Sequence, residues 1–341
     1  MIRQKASVCA LVMGVLLGGC GGSTNPKSNT PGKHHQTLLV SGLSRQFIVY
    51  VPAKAQGPAL APVVIMNHGT SGDGERFYNI SGWKEKADQE GLIAVFPTAL
   101  VHCYHEDENR DGDFDDPGEQ KVTTKWNAGQ FDQNLPLCTA QEIAALPPDK
   151  RAMADHPLAD DIPFFHGLLD FLAANYSVDT KRIYVSGFSN GGSMSSRLAV
   201  EMTHRFAAAA SAASPLTISA QASLPIAFVL SYGNEDPALT VYNAGAPIPL
   251  QESSLLGPQI NNFLVGRWLS ALSLANTYTY SESQLSGQKV SRWRYATSTV
   301  GASNSLQVAL IDRLDHQYPN GTNHSVVMAN VLWEFFKTHQ R

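Results

Sequence analysis

The residue whose setting most suggests chemistry is Ser189, in the run Gly187-Phe188-Ser189-Asn190-Gly191. The apolar run 183–186 precedes it and a helix-forming stretch follows, which predicts a sharp turn from strand to helix. Glycines around the serine permit this turn, because the backbone at the serine is strained. The start of the helix would also direct backbone N–H groups at a developing negative charge. The pattern therefore predicts a nucleophilic serine.

A nucleophilic serine needs a base, and the base needs an acid that orients it. In folds with this turn, the order along the chain is serine, acid, histidine. Asp236 closely follows an apolar run that ends in a loop, where an acid at the carboxyl end of a sheet would lie. We predict Asp236 as the acid and keep the adjacent Glu235 as the alternative. Asp312 and Asp315 are too close in sequence to the candidate histidines to be placed.

Four histidines follow the serine. His316 lies in the loop between the predicted strand 306–311 and the last helix, and His324 comes just before that helix. We favour His316 as the base because of its place in the loop. His204 ends the helix after the serine, where a structural role fits better, and His339 is in the terminal tail.

A second group of backbone donors should face the serine. The run Met66-Asn67-His68-Gly69-Thr70 follows the first buried strand, where a His-Gly turn can present an N–H beside the nucleophile. We predict the N–H groups of Thr70 and Asn190 as the oxyanion hole. His68 could itself be a base, but a buried histidine that braces the turn is the favoured interpretation.

The elements that must position these residues alternate between strand and helix. This alternation predicts a mostly parallel sheet with helices on both faces. The segments 102–151 and 244–287 do not fit the alternation, and we predict them to be insertions over the active-site edge. The predicted strands are 45–51 (an edge strand, since Pro52 ends it), 62–66, 92–96, 182–186, 207–213, 226–231 and 306–311, and the predicted helices are 82–90, 161–176, 191–204 and 325–338.

Composition narrows the class of protein. The 341 residues are 43% hydrophobic and 16% charged, which excludes a wholly disordered chain. No apolar stretch of about 20 residues follows the N-terminus, so a protein with several membrane spans is excluded. The net charge is −4 and no basic block is present, so we expect no nucleic-acid partner. We expect residues 37–341 to form one domain, and the protein to be a monomer.

The N-terminus has the pattern of an export signal. Basic residues precede a short apolar run, and residues 1–19 are predicted to be a signal peptide. The sequence Leu17-Gly18-Gly19-Cys20 resembles a bacterial lipobox, which would acylate Cys20; an ordinary signal peptide is the alternative. Residues 20–36 are predicted to be a flexible tether. The expected location is the cell envelope as a lipoprotein, or the medium, with membrane contact only through the lipid.

Two cysteines remain once Cys9 is assigned to the signal peptide and Cys20 to the lipid. Because exported thiols tend to oxidise, we predict a disulfide between Cys103 and Cys138. Two separate buried thiols are the alternative. Such a disulfide would stabilise the fold by roughly 3–4 kcal/mol in the chain-entropy model.

The segment from Glu106 to Glu119 carries eight of the 29 acidic residues. Its spacing matches the start of a calcium-binding loop, but Gly118 is at the twelfth position, where Glu is expected, and Glu119 is one residue late. A structural Ca²⁺ and a solvated acidic loop are equally supported. The candidate ligands are Asp107, Asn109, Asp111, Asp113 and Asp115.

Together these motifs resemble the α/β-hydrolase esterases grouped with secreted poly(3-hydroxybutyrate) depolymerases, feruloyl esterases and acetylxylan esterases. The resemblance extends from about residue 46 to residue 336. Besides the motifs already quoted, it rests on Ser81-Gly82-Trp83, Trp126-Asn127-Ala128-Gly129, Asp160-Asp161-Ile162-Pro163-Phe164, Gly233-Asn234-Glu235-Asp236-Pro237, Asp315-His316-Gln317-Tyr318-Pro319 and Val331-Leu332-Trp333-Glu334-Phe335-Phe336.

The resemblance implies an α/β-hydrolase fold and a serine ester hydrolase, with Ser189 as nucleophile, Asp236 as acid and His316 as base. It implies no cofactor for catalysis, and a polyester depolymerase as the expected function. A feruloyl or acetylxylan esterase is the alternative, and a peptidase or a non-catalytic polymer-binding lipoprotein is less favoured. Tyr232 and Tyr318 depart from the His and Trp usual in the family.

Overall fold

The computed structural model describes residues 29–57, 59–108, 111–114, 116–132, 134–301 and 303–341. Within these residues, ten strands form one sheet and two form a separate ribbon. The predicted signal peptide and Cys20 lie outside the described residues. The strands are β1 (Gly32–Val40), β2 (Leu43–Val51), β3 (Ala61–Asn67), β4 (Ile93–Pro97), β5 (Val101–His105), β6 (Gln120–Thr124), β7 (Val178–Phe188), β8 (Ala208–Ala212), β9 (Ala227–Gly233), β10 (Tyr278–Leu285), β11 (Gln288–Tyr295) and β12 (Ser305–Ile311).

Helices cover both faces of the large sheet. They are α1 (Gly74–Ile80), α2 (Trp83–Glu90), α3 (Ala140–Ala145), α4 (Pro148–Ala154), α5 (Ile162–Asn175), α6 (Asn190–Glu201), α7 (Pro237–Thr240), α8 (Pro258–Asn261), α9 (Arg267–Ala271) and α10 (Met328–Phe336). In the described part of the chain, no helix has the length and apolarity that crossing a bilayer requires.

The sheet has a parallel centre and antiparallel ends. Its strand order is β1-β2-β4-β3-β7-β8-β9-β12-β11-β10, and the neighbours from β4 to β12 pair in parallel. The mostly parallel sheet is therefore confirmed. The expected edge position of 45–51 is wrong, because β1 pairs with β2 on its outer side. The central strands β3, β4, β8 and β9 are buried throughout, which explains their continuous apolar sequences.

Two predicted boundaries differ from the structure. β1 begins at Gly32, so residues 32–36 belong to the sheet rather than to a tether. The segment 244–287 is an insertion only in part, because its last residues form β10, which pairs with β11. The hairpin was missed because most of β10 is exposed and polar, so its sequence lacks the apolar runs of the central strands.

The first insertion is a small unit of its own. β5 and β6 pair as an antiparallel ribbon, and α3 and α4 follow it. A disulfide joins Cys103 of β5 to Cys138, with an S–S distance of 2.05 Å, so the predicted pairing is confirmed. The ribbon ends at Thr124, two residues before the Trp126 segment that returns to the large sheet.

Candidate active site

Ser189 lies at the sharp turn between β7 and α6. Its backbone has φ 52° and ψ −126°, a strained conformation for a residue with a side chain. The flanking glycines are required by space. A Cβ at Gly187 would lie 2.0 Å from the carbonyl oxygen of Gly191, and a Cβ at Gly191 would lie 2.3 Å from that of His68. The turn therefore has the strand–serine–helix geometry that the sequence predicts.

The structure brings Ser189, His316 and Asp236 into one hydrogen-bonded line. The Oγ of Ser189 is 3.0 Å from Nε2 of His316. The Nδ1 of His316 is 2.8 Å from Oδ2 of Asp236, which is fully buried. The other carboxylate oxygen of Asp236 accepts a hydrogen bond from the backbone N–H of Ala238 at the start of α7. Both oxygens are thus held, and Nδ1–H of the imidazole points to the acid while Nε2 can accept the serine proton.

Close backbone packing holds the acid loop against the histidine loop. A Cβ at Gly233 would lie 1.8 Å from the carbonyl oxygen of Leu314, so only glycine fits there. The side chain of Asn234 accepts from the N–H of Arg313 at 2.8 Å. The N–H of Glu235 donates to the carbonyl of Leu314 at 3.0 Å, while its side chain is exposed. Glu235, the alternative acid, is therefore not the residue that contacts the histidine.

The other histidines after the serine are engaged elsewhere. His324 contacts the carbonyl oxygen of Asp312 through Nε2 and accepts from the N–H of Val326 through Nδ1. His339 contacts the carbonyl of Phe335 in the terminal helix region. His204 is exposed just beyond the end of α6. These contacts agree with His316, rather than His324, as the residue facing the serine.

His68 braces the turn after β3. It is fully buried, its Nδ1 donates to the carbonyl of Gly69 at 2.7 Å, and its Nε2 accepts from the N–H of Ala99 at 3.0 Å. Burial lowers the pKa of His68 to about 4, so the ring is neutral near pH 7. With both nitrogens used in the turn, the bracing interpretation fits the structure.

The turn at 67–70 touches the nucleophile. A Cβ at Gly69 would lie 3.3 Å from the Cβ of Ser189, so the turn that carries Thr70 lies against the serine. Asn190 is the first residue of α6, where backbone N–H groups have no partner within the helix. The two predicted oxyanion donors therefore lie on the two elements that meet at Ser189.

Three residues at the site were missed by the sequence analysis as functional candidates. Trp126 contacts both the 67–70 turn and Asn190. The buried ammonium of Lys125 is 3.4 Å from Oγ1 of Thr70, and burial lowers its pKa. The ring of Phe188 is 5.2 Å from that of His316. The sequence signals were the motif at 126–129 for Trp126 and the serine turn at 187–191 for Phe188, and neither motif indicated these contacts.

Tyr232 and Tyr318, which depart from the residues usual in the family, are both buried. Tyr232 lies beside the acid loop, and its ring is 6.1 Å from the ring of Phe263 in the second insertion. Burial raises the pKa of Tyr232 well above the usual value. Tyr318 packs 6.1 Å from the ring of Phe188. Both therefore shape the packing behind the triad rather than its exposed side.

The acidic loop lies in the first insertion. The carboxylate oxygens of Asp111, Asp113 and Asp116 come within 4.8 Å of one another, and all three residues are exposed. Asp107 accepts from the N–H groups of Asp111 and Gly112 instead. Two further predicted ligands, Asn109 and Asp115, lie outside the described residues. Calcium binding stays a prediction.

Glu119, which is one residue late for the twelfth ligand position, is not one of the three clustered carboxylates. It is buried, and its two carboxylate oxygens accept from the N–H groups of Glu108 and Asp116. Among the described residues of this loop, the group that could hold a cation is therefore the three clustered aspartates.

Comparisons with known proteins bear on the fold and on the class of protein. The profile of the prolyl oligopeptidase family matches residues 153–252, which include α5, the turn at Ser189 and the acid loop. The protein "Putative esterase NocK" of Nocardia uniformis subsp. tsuyamanensis is 26% identical over 204 residues, 59% of this chain and 47% of that protein. Feruloyl esterase B of Piromyces equi is 28% identical over 169 residues, 50% of this chain and 24% of that protein.

The chain thus spans less than half the length of these two curated relatives. Among solved structures, the acetyl xylan esterase from Aspergillus awamori is similar over 90% of this chain and 99% of that chain, with a TM-score of 0.52 and 12% identity. The similar proteins named esterases confirm the resemblance drawn from the motifs. The sheet order, the turn at the serine and the structural similarity together show that this chain has the α/β-hydrolase fold.

Proposed function

We propose that this protein is a serine carboxylic-ester hydrolase that works through an acyl-enzyme. The observation that carries the proposal is the line of two hydrogen bonds from Ser189 through His316 to Asp236, at 3.0 and 2.8 Å. Such a line supplies a nucleophile, a base and an orienting acid. The similarity to proteins named esterases supports this reaction class.

In the first half-reaction, Nε2 of His316 takes the proton of the Ser189 hydroxyl as its oxygen attacks the ester carbonyl. The carbonyl oxygen gains negative charge, and the N–H groups of Thr70 and Asn190 stabilise it. One such donor is typically worth about 3–4 kcal/mol of barrier. The protonated histidine, stabilised by Asp236, then gives its proton to the leaving alcohol, and the acyl group stays on the serine.

In the second half-reaction, water replaces the alcohol. His316 takes a proton from the water, the resulting hydroxide attacks the acyl-serine, and the same donors stabilise the second tetrahedral intermediate. The proton returns to the Oγ of Ser189 as the carboxylic acid leaves. No step requires a metal ion or an organic cofactor, so catalysis is proposed to use side chains and water alone.

The exposure of the base supports a polymer-borne ester as the substrate. The His316 side chain is 40% exposed, and its neighbours Asp315 and Gln317 are exposed as well. An open triad can reach an ester on a chain too large for a closed pocket. The relative named feruloyl esterase favours a feruloylated polysaccharide. Poly(3-hydroxybutyrate), which the sequence resemblance favoured, is the second candidate, and acetylated xylan is the third.

A peptidase is the candidate from a different class, because the matching family profile is that of the prolyl oligopeptidases. The match covers 100 of 341 residues and consists of the part that carries the serine turn. A triad of this kind serves both ester and peptide hydrolysis, so the match supports the chemistry without choosing the bond.

One screen tests these alternatives. Purified protein is assayed on p-nitrophenyl acetate, methyl ferulate, acetylated xylan, poly(3-hydroxybutyrate) and a prolyl p-nitroanilide. We expect ester turnover, with loss of at least about 10³-fold in Ser189→Ala. The matched control is Ser196→Ala, whose buried hydroxyl donates only to the carbonyl of Gly192 in its own helix. Equal activity of Ser189→Ala and the parent would contradict the proposal, and turnover of the anilide alone would assign a peptidase.

We further propose that the protein is exported and anchored by a lipid on Cys20, as the N-terminal sequence predicts. Radiolabelled palmitate incorporated in a bacterial host should label the parent protein and not Cys20→Ser. Label retained in Cys20→Ser would contradict the anchor, and release of unlabelled parent protein to the medium would favour simple secretion.

We also propose that the protein is a monomer. A single peak at monomer mass in gel filtration is expected for the catalytic domain.

A further inference from the structure

One buried side chain contacts both elements that carry the proposed oxyanion donors. Trp126 is 1% exposed, and its indole N–H donates to the carbonyl oxygen of His68 at 3.0 Å, in the turn that carries Thr70. Its backbone N–H donates to Oδ1 of Asn190 at 2.6 Å, and its backbone oxygen accepts from Nδ2 of Asn190 at 3.1 Å. Segments that are about 60 residues apart in sequence thus meet at one tryptophan.

We propose that Trp126 is a positioning residue that sets the distance between the two oxyanion donors. The inference rests on the proposed function, since it assigns a role within that reaction. Trp126 does not touch the reacting atoms in this arrangement; it acts through the turn at His68 and through the side chain of Asn190. In this arrangement the side chain of Asn190 binds the backbone of Trp126, while its backbone N–H is the proposed oxyanion donor.

The contact at His68 lies where the turn and α6 approach each other closely. The carbonyl oxygen that accepts the indole N–H is the same atom that a Cβ at Gly191 would approach to 2.3 Å. A shift of this carbonyl would move Gly69 and Thr70 relative to Ser189. Small displacements of a catalytic group are costly, and about 1 Å can lower the rate about 100-fold.

The segment behind Trp126 is itself held in place by buried groups. The N–H of Asn127 donates to Oδ2 of Asp161 at 2.7 Å, and Oδ1 of Asp161 pairs with Arg45 at 2.5 Å. The side chains of both partners are at most 3% exposed. On the other side, Arg197 of α6 donates to the carbonyl of Asn127 at 2.7 Å. The tryptophan is therefore attached to a fixed support on the sheet side and to the helix that starts at the nucleophile.

The aromatic ring has a second role in packing, which the test must separate from the hydrogen bond. The ring lies 5.1 Å from that of His68 and stacks on Phe164 at 6.5 Å and 11°. Trp126→Phe keeps an aromatic ring and removes the indole N–H. The matched control is Trp268→Phe, because Trp268 is 1% exposed in the same core and its indole N–H has no partner among the described residues.

Steady-state kinetics on p-nitrophenyl acetate give the first readout. We expect Trp126→Phe to lower kcat about tenfold, less than the loss of a whole oxyanion donor, with KM within about twofold and the pH midpoint of kcat unchanged. Trp268→Phe should keep kcat within about twofold. Asn190→Ala, which keeps the backbone N–H, should also lower kcat at constant KM. A parent-like kcat in Trp126→Phe, or an equal loss in Trp268→Phe, would overturn the inference.

Hydrogen–deuterium exchange gives a second readout that does not need turnover. Trp126→Phe should raise the exchange rate of the 67–71 backbone amides, whereas Trp268→Phe should leave these amides unchanged. Unchanged exchange at 67–71 in Trp126→Phe would overturn the positioning role even if the parent hydrolyses esters. Conversely, if the parent neither turns over an ester nor reacts with a fluorophosphonate, the proposed function fails, while the exchange result still decides whether Trp126 fixes the turn.

Discussion

The backbone around Ser189 and the acidic loop at 106–119 both depend on glycine, but for different reasons. At Gly187, Gly191 and Gly233, an added Cβ would lie 1.8–2.3 Å from a backbone atom of another residue. At Gly112 and Gly118, nothing lies within 4 Å, and the φ angles of 95° and 101° are what favour glycine. The catalytic region is thus fixed by tertiary packing, whereas the acidic loop is shaped by local backbone conformation.

This difference determines how each region can be used. Near the nucleophile, the acid loop is held by a contact with a distant part of the chain, that of Asn234 with Arg313. In the acidic loop, Asp107 and Asp111 accept hydrogen bonds from residues two to five positions later. A region held by distant contacts is already organised for catalysis, while a loop held by local ones can gain order from a ligand.

The largest effect should come from replacing one glycine of each kind with alanine. Gly191→Ala drives a Cβ into the carbonyl of His68, so we expect loss of ester turnover and a destabilisation of about 3 kcal/mol or more. In Gly112→Ala the new Cβ has no neighbour within 4 Å, and the positive φ should lower the free energy of unfolding by about 1 kcal/mol. Activity should be unchanged. Urea unfolding and p-nitrophenyl acetate turnover measure both. Similar losses in the two variants would show that the contrast in packing is not real.

The second effect tests the two carboxylates of the acid loop against each other. Asp236→Asn leaves the shape but removes the charge that orients His316, so kcat should fall by about 10³–10⁴. Glu235→Gln changes an exposed side chain one residue away and should keep kcat within about twofold. The comparison is made from kcat at saturating substrate. If the larger loss occurred in Glu235→Gln, the acid would have been assigned to the wrong residue.

The sequence was most informative where structure is local. Buried parallel strands need continuous apolar runs, and the turn at Ser189 needs glycines, so both could be predicted. The choice of His316 over His324 followed from its position in the loop and from the resemblance to the esterase family. The contacts of Trp126 with His68 and Asn190 could not be predicted, because these hydrogen bonds join segments 58 and 64 residues apart in the chain. The hairpin of β10 and β11 was missed because most of its outer strand is exposed and polar.

The third effect concerns two buried histidines, His68 in the turn beside Ser189 and His102 in β5, just before the acidic loop. Burial lowers the pKa of His68 to about 4 and, with help from the nearby His156 and Arg45, that of His102 in the insertion to about 3. An unfolded histidine has a pKa near 6.5, so between that pH and the folded value only the unfolded chain takes up the proton. Stability is therefore full above about pH 6.5 and falls as the pH drops.

At pH 5 each of these histidines should cost about 2 kcal/mol of unfolding free energy relative to pH 7. His102→Phe, beside the ring of Phe131, should remove its share of this acid loss, and the His68 share should remain. Urea unfolding at pH 7 and pH 5 for the parent and the variant measures the difference. A parent-like drop in His102→Phe would mean that His102 is not held neutral in the fold.

The smallest effect should come from calcium at the acidic loop. The three clustered carboxylates of Asp111, Asp113 and Asp116 repel one another, and a cation among them would relieve this repulsion. Because both carboxylate oxygens of Glu119 accept backbone N–H groups, we expect Glu119 not to supply the twelfth-position ligand, and we expect millimolar affinity. At 10 mM Ca²⁺, the stabilisation should then be about 1–1.5 kcal/mol, seen as a rise in Tm of a few degrees.

Asp113→Asn should reduce this rise in Tm. The control is Asp149→Asn, which changes an exposed aspartate in α4 and should leave the rise intact. An equal rise with Mg²⁺, or no rise after EDTA treatment and addition of Ca²⁺, would leave the loop as solvated carboxylates whose geometry is set by their own backbone.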